Sequence, residues 1–600
     1  MEVKAEVLSI AKLSDYFFVV PDYQREYVWK EDDEVEQFLQ DIDNEVESGQ
    51  SYFIGSIIIV KNNNGKYDVI DGQQRLTTIV LSLCAIRDLL SQIELNESQD
   101  KILSKIKSLL YEYDLETGKD NVRLELQYPE SKDFLDSLIT NTNFNEETTP
   151  SIIRMQEAYK TIRTFYSDKI STLGIDKTIE DIRYFLTKVE LVKILSENLS
   201  SALKIFETIN QRGAGLNAMD LIKNLLFSNV IESKFDRIKD IWKKIGENLH
   251  KCGEENMPMR FLRYFFIARY IVGTEILRED SIYKWLISPE GKKATSYETK
   301  PIEFAKELAT LSERYSNLVC ATEEYSSNYP NISHIGLVNK VKSRQHLILL
   351  LALHQNAGQN ALEYLAKQIE SFFFYTVTMH IQAKSNEGQF VRWAQKLRNK
   401  YEIQDIADIL DETMLPYLKD KLVDFKTAFL NINHYQYNPL YRQKYILGKM
   451  ENTLAAKCNL PLKDSFYDYQ IEHILPQSPK DGNYINYEDA TAYYTQVYRL
   501  GNVTLIEGTI NQALNKCNDL SDNWFEKKQA EYCKSSILIT QMLDDDFYIG
   551  VNTAINRFKV NTGYSFSEWN SETISKRQSI LLELALDSWK INNANQQLAF

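Results

Sequence analysis

IEHILPQS, residues 471–478, and LGNVTLIEGTINQALN, residues 500–515, bound the stretch that decides how this chain is read. Glu472 and His473 stand side by side, Pro476 follows, and Asn502 and Asn511 come later. Residues 469–474 read as a short strand and 503–507 as a second, joined by a long polar loop; Gly508 ends the second strand and a helix begins at 511. A strand–loop–strand–helix finger of this kind gathers what metal-assisted phosphodiester hydrolysis needs. An imidazole deprotonates water, and an oxygen-ligated cation holds the phosphate and stabilises the leaving alkoxide. Hard cations such as Mg²⁺ take carboxylate and amide oxygens, which Glu472 and Asn511 supply while His473 stays free as the base.

These residues resemble the HNH, or ββα-metal, nuclease family, whose first motif pairs an acid with a histidine ahead of a proline. The resemblance implies that His473 activates water, that Glu472 and Asn511 hold Mg²⁺ or Mn²⁺, and that Asn502 braces the strand and orients His473. The acidic position carries Glu where many members carry Asp, which bears on metal distance and preference.

Working outward, the 600 residues suffice for roughly two to four domains. Leu, Ile, Lys and Glu are plentiful while Gly and Pro number only 21 and 12, which favours a largely helical chain. A net charge of −15 argues against sequence-independent coating of nucleic acid but leaves room for a local basic groove. The six cysteines form no C-x-x-C pair, so they read as reduced thiols of a cytoplasmic protein, and the finger lacks a zinc clamp. No secretory layout opens the chain. The longest apolar runs, 347–353 and 372–375, fall far short of a membrane span.

Toward the N-terminus, YFIGSIIIV (52–60) reads as a buried strand, Asn64-Gly65 as a hairpin turn, and 67–70 as the returning strand. That strand enters Asp71-Gly72-Gln73-Gln74-Arg75 and then a long apolar helix. A strand that passes through a polar turn into a helix leaves backbone N–H groups where phosphate can sit. Gly72 permits close approach, Arg75 can fork onto phosphate oxygens, and Asp71 can hold a cation. The residues alone fit equally well a capped helix whose N–H groups Asp71 satisfies. No G-x-x-x-x-G-K-[ST] occurs, so the chain is not a P-loop NTPase.

PDYQREYVW (21–29), the strand ending in Gly55-Ser56, IDGQQRLTT (70–78) and IFETINQRGAGLNAMDLIKN (205–224) together resemble the ParB/sulfiredoxin-like NTPase domain that opens GmrSD-type modification-dependent restriction enzymes. The resemblance implies a nucleotide-hydrolysis motif at Asp71, Gly72, Gln73, Gln74 and Arg75. It extends the nucleotide site to Tyr23, Gln24 and Arg25 and implies GTP, CTP or UTP as the cofactor. Arg212, beside two glycines, is a candidate to contact phosphate and report nucleotide state; ordinary helix caps are the plain alternative.

Residues 230–430 read as helix after helix with no repeat. Phe265, Phe266 and Phe372–Phe374 read as core rather than base-stacking platforms, and Arg260, Arg263, Arg269, Arg392 and Arg398 as helix-face cations, some of which could meet DNA. Beyond the finger, Lys527, Lys528 and Arg557 are candidate phosphate contacts, with solubilising charge an equal alternative.

The expected fold is α+β and predominantly helical. A ParB/sulfiredoxin-like α/β domain occupies 1–230, a helical coupling region 231–430, and an HNH domain 431–600. The expected function is a modification-dependent anti-phage endonuclease, resembling GmrSD or SspE, whose nucleotide turnover is coupled to DNA cleavage. The partners are modified phage DNA and nucleotide, with no membrane, and self-assembly into a homo-oligomer stays open. The alternatives are a nucleotide-driven DNA-binding switch without cleavage and an RNA-targeting abortive-infection nuclease.

Overall fold

The computed structural model describes residues 3–116, 118–210, 218–253, 257–271, 277–321, 345–479, 484, 487–518, 523–547 and 553–591. The chain is mostly helical with small sheets of mixed direction, an α+β architecture. It divides into two compact units, Met1–Lys244 with Tyr283–Lys306, and Ile245–Ile282 with Glu307–Phe600. Residues 231–430, which the sequence reads as a helical coupling region, contribute helices to both units.

The first unit is built on one six-stranded sheet. β1 (Val3–Ser9), β2 (Phe18–Val20), β3 (Tyr52–Lys61), β4 (Tyr67–Asp71), β7 (Leu124–Leu126) and β8 (Val189–Ser196) lie in the order β1-β8-β3-β4-β2-β7. β1 pairs antiparallel with β8 and β3 with β4, while β3–β8, β2–β4 and β2–β7 are parallel. Between β4 and β7 in the chain, β5 (Tyr111–Asp114) and β6 (Lys119–Val122) pair antiparallel as a separate ribbon. β3 is central, and its Ile57, Ile58 and Ile59 are fully buried. The turn from β3 to β4 is the hairpin that Asn64-Gly65 signals: Gly65 takes φ +79° and Asn62 Oδ1 accepts from the N–H groups of Asn64 and Lys66.

β4 runs directly into the helix Gln73–Leu90 through Gly72, which adopts φ +87°. That helix is buried almost all round, which explains why its apolar residues form no single stripe. It packs against Pro150–Leu173, which starts with Pro at its first position and Thr149 accepting from the Ile152 N–H.

The second unit is helical around Gln359–Thr378, whose Phe374 ring stacks on Trp589 with centroids 3.7 Å apart. Phe265, Phe266 and Phe372–Phe374 are buried, as core residues should be. Several arginines weighed as DNA contacts are committed internally. Arg263 pairs with Glu387, Arg269 with Glu307, and Arg398 donates to the carbonyls of Ile267, Ala268 and Ile271. In the C-terminal part, β9 (Gln470–His473) pairs antiparallel with β10 (Val503–Ile506), placing Val503 opposite His473 and Thr504 opposite Glu472. The next helix spans Gly508–Leu514. It starts three residues earlier than the sequence suggests, because Gly508 belongs to its first turn and not to the end of the strand.

Gly72→Ala tests the strand-to-helix turn. A Cβ there meets Ile57 Cγ2 at 2.5 Å and Ser56 O at 3.0 Å in a backbone conformation that L residues avoid. We expect a loss of about 2 kcal/mol or more in urea unfolding of the first unit; wild-type stability in that variant would contradict the geometry.

Candidate functional site

Adjacent residues on a strand face opposite ways, and Glu472 and His473 do so on β9. Glu472 points inward, where its carboxylate accepts from Lys528 Nζ at 2.7 Å and from the Tyr532 hydroxyl at 3.1 Å. Lys528 is completely buried and also donates to the carbonyls of Ile474 at 3.0 Å and His473 at 3.3 Å. Lys528 is therefore not a surface phosphate contact. Its burial corrects the sequence reading, which sees a basic pair at 527–528 without seeing that one member faces inward. Lys527 and Arg557 are exposed.

Asn502 is fully buried and uses both ends of its amide. Oδ1 accepts from the Leu475 N–H and the Trp569 indole, each at 2.8 Å, and Nδ2 donates to the carbonyls of Val497 and Leu475. It thus ties the segment after β9 to the segment before β10. Asn511 donates to Gln470 Oε1 at 2.7 Å. That bond uses the Asn511 amide nitrogen, whereas the Glu472 carboxylate is taken up by Lys528 and Tyr532. As a pair of metal ligands these two do not fit this arrangement: the Glu472 oxygen is shared by a buried ammonium and a phenol, and that ammonium opposes a neighbouring cation.

His473 meets a residue that motif reading misses. Its Nε2 lies 3.0 Å from Nε2 of His434 and 3.2 Å from the side-chain amide of Gln477, which also lies 3.1 Å from the Tyr435 hydroxyl. Burial, then His434, then Lys528 push the His473 pKa down to about 3, so the imidazole is neutral at physiological pH. Burial also lowers the His434 pKa, partly offset by a hydrogen bond to Gln443. The Tyr498 ring stands 6.2 Å from His473, on the edge of a cleft of about 530 Å³ that Asn431, Asn433, Tyr494, Gln496 and Arg499 also line. The imidazole is unprotonated, as proton acceptance requires, though at this pKa its basicity is low unless a neighbouring anion such as a phosphate raises it, and its neighbour Tyr498 borders a cleft of amides and tyrosines.

In the first unit, the 71–75 turn and the helix Ala218–Ser228 come together. Arg25 reaches Asp220 at 3.5 Å, and Lys223, almost fully buried, lies 3.7 Å from Asp220 and donates to Gln24 Oε1 at 3.1 Å. Burial raises the pKa of Asp71, opposed by Arg75, the Gly72 N–H and Arg25 and reinforced by Asp220. Arg75 donates to the Ser56 carbonyl at 2.9 Å, and Gly55 leaves room for its guanidinium.

The two glutamines face inward. Gln73 donates to the Arg25 carbonyl, and Gln74 bridges the Glu26 carbonyl and the Val28 N–H. Gln24 donates to the Ile70 carbonyl, and the Tyr23 ring rests on Phe227. Gln73 Oε1 is buried without a hydrogen-bond partner among the described residues. On the charged side of the turn, the two carboxylates Asp71 and Asp220 and the two guanidiniums Arg25 and Arg75, beside Gly72, fit a bound nucleotide. Arg25 and Arg75 would meet its phosphates, and Asp71 and Asp220 its cation. Asp220 and Lys223 carry a sequence signal, an acid and a lysine three apart in an otherwise apolar helix. His434 carries none. Arg212 lies outside the described residues.

Two family models match the chain: the N-terminal domain of the GmrSD restriction endonuclease over residues 7–227, and the C-terminal domain of GmrSD restriction endonucleases over residues 419–584. The chain belongs to the GmrSD restriction endonuclease family. It is accordingly a restriction nuclease with DNA as its substrate. The 71–75 turn and Asp220 fall within the first GmrSD match; β9, β10, His434 and Lys528 fall within the second. No curated protein matches the chain. Among the described residues, no helix is long and apolar enough to cross a membrane.

Two outcomes follow for the GmrSD C-terminal domain. Lys528→Ala strands the Glu472 carboxylate and should cost about 3–5 kcal/mol in chemical denaturation, whereas pairing Lys528→Met with Glu472→Gln should recover most of the loss. A harmless Lys528→Ala would mean that the pair is solvated. For His473, the folded pKa lies below the unfolded 6.5, so the unfolded chain binds the extra proton and stability falls with acidification. Between pH 7.5 and 5.5, wild type should lose about 1.4 kcal/mol more than His473→Phe; parallel losses would place the imidazole in solvent.

Proposed function

We propose that this chain is a modification-dependent anti-phage DNA endonuclease in which nucleotide hydrolysis at the Asp71–Arg75 turn governs phosphodiester cleavage at His473. The observation that carries the reading is the neutral imidazole beside its tyrosine-lined cleft, in a restriction endonuclease that also gathers Asp71, Asp220, Arg25 and Arg75 around one turn. The ParB/sulfiredoxin-like and HNH assignments of the two parts belong to this proposal.

In the cleavage step, a water oxygen bonds to phosphorus while its proton passes to His473. The P–O bond to the sugar breaks, and the departing alkoxide takes a proton from solvent. GTP, CTP or UTP supplies a cleavable phosphoanhydride at the first site, where Arg25 and Arg75 neutralise phosphate oxygens and Gly72 lets the backbone come close. The substrate class is DNA carrying a bulky or backbone modification, such as glucosylated hydroxymethylcytosine or phosphorothioate.

The test is one matrix of modified and unmodified phage DNA, each with and without nucleotide and Mg²⁺ or Mn²⁺. His473→Ala should abolish strand cleavage, a loss on the order of 100-fold or more, and leave phosphate release from nucleotide intact. Asp71→Ala should abolish phosphate release and, since hydrolysis governs cleavage, also remove the response of cleavage to nucleotide; Arg75→Lys should fail nearly as badly as Arg75→Ala, since a point charge does not reproduce a fork. Cleavage at the wild-type rate by His473→Ala removes the nuclease site; equal nucleotide hydrolysis by wild type and Asp71→Ala removes the nucleotide site.

A further inference from the structure

The six-stranded sheet of the first unit ends in two unlike edges. β7 is three residues long, whereas β1 runs for seven and pairs with β8 in unbroken register from Val3–Ser196 to Ser9–Glu190. Edge strands are commonly kept from pairing with other chains by shortness, a proline or a bulge, and β1 has none of these. On its other side no strand pairs with it among the described residues. Lys4, Ala5, Glu6 and Val7 are all exposed, Val7 at 53%, and on the same face of the sheet Phe53 of β3 is 57% exposed. The edge is open along its backbone and partly apolar on one face.

The strand is also complementary to its own reversal. VKAEV, residues 3–7, has valine at both ends, a cation and an anion inside them, and alanine at the centre. A second copy meeting β1 antiparallel is related by a two-fold axis normal to the sheet, which keeps each residue on its face and so passes through a residue. An axis through Lys4 sets lysine against lysine, and one through Glu6 sets glutamate against glutamate; like charges directly opposite are destabilising. An axis through Val7 sets Glu6 against Leu8 and makes no ion pair. An axis through Ala5 sets Lys4 against Glu6 twice and brings Val3 into register with Val7. Glu6 already holds Lys193 through Oε2 at 2.7 Å, yet its side chain is 53% exposed and can accept a second ammonium.

We propose that β1 is a self-association edge: two copies of the chain pair their β1 strands antiparallel about Ala5, so that Lys4 and Glu6 of each copy face Glu6 and Lys4 of the other. The two six-stranded sheets then continue into one another. Main-chain hydrogen bonds supply the attraction, and the two ion pairs choose the register. Lys4 and Glu6 lie on one face of the strand, and Ala5 and Val7 on the other, where the exposed apolar surface of the two copies meets. A second copy suits this edge better than a foreign peptide, because the charge order of the strand matches its own reversal.

Sedimentation of the full chain over a range of concentrations should show a monomer–dimer equilibrium. Lys4→Glu sets carboxylate against carboxylate twice and should weaken dimerisation by about 10-fold or more, and Glu6→Lys should do the same with ammonium groups. Mixing the two variants restores both charge pairs, and the mixture should dimerise as wild type does. Glu6→Lys also gives up the ion pair with Lys193, so the register is tested a second way that alters neither charge. Ala5→Cys puts two thiols directly opposite with Cα atoms about 5 Å apart, within disulfide reach, and should cross-link under mild oxidant. Val7→Cys puts them about 13 Å apart and should give no more cross-linking than wild type, whose six cysteines set the baseline. A wild type that stays monomeric overturns the proposal. So does a dimer indifferent to Lys4→Glu, or an Ala5→Cys that cross-links no better than Val7→Cys.

Discussion

The buried ammonium of Lys528 is what the C-terminal part is arranged around. It is bound to the Glu472 carboxylate and to the carbonyls that end β9, so one charge fixes both the side-chain direction and the backbone of the strand. Because strand residues alternate, drawing Glu472 inward turns His473 to the opposite face, toward His434 and Tyr498, the latter a wall of the cleft. Burying such a pair is costly unless its remaining groups are bonded, and here Tyr532 supplies the further donor. Asn502 does the matching work across the loop, holding the segment after β9 with neutral hydrogen bonds on all sides. A charged clamp and a neutral clamp between them set the site's backbone before any substrate arrives.

Much of this fold was legible in the sequence, and the reason differs from element to element. The β3–β4 hairpin announced itself through Asn64-Gly65, and β9 and β10 through short apolar runs beside polar loops, since these depend on local backbone preference. The direction of a side chain is not local. Lys527 and Lys528 read alike, yet one is exposed and the other is wholly enclosed, a difference made by the position of Glu472, 56 residues earlier in the chain. Gln73 and Gln74 read as ligand contacts within a polar turn, whereas their amides stitch the segment 25–28 to the helix. His434 was invisible because nothing in HYQY marks a histidine that will meet another 39 positions later.

The 71–75 turn divides its labour in a way that composition alone hides. Gly72, with its positive φ, swings the chain from strand to helix, so that Asp71 and Arg75 remain near the charged groups while Gln73 and Gln74 turn to the interior. The charges that remain are nearly balanced: Asp71 and Asp220 against Arg25 and Arg75, with Lys223 beneath. Such a set tolerates a polyanion with its counter-cation better than either ion alone, since phosphate satisfies the guanidiniums and the cation the carboxylates.

The electrostatics of the whole chain bear on how such a nuclease avoids cutting at random. Net charge is −15, and several cations that could have offset it at a DNA surface are spent inside. Lys528, Arg263, Arg269 and Arg398 hold carboxylates and carbonyls, and Arg577, fully buried, holds the carbonyls of Gly501 and Val503. Each phosphate contact that is not made removes one released counterion from the binding free energy, so few such contacts mean weak binding to any duplex and a shallow dependence on salt. On the proposed reading, cleavage then depends on interactions that a particular substrate provides. The groups lining the cleft near His473 are suited to that: side-chain amides can read base edges by hydrogen bonding, where a row of lysines would not, and tyrosine faces add stacking that every base can use. The cost of such an arrangement is a slow encounter with any DNA, and its gain is that charge attraction alone does not bring phosphodiesters to His473.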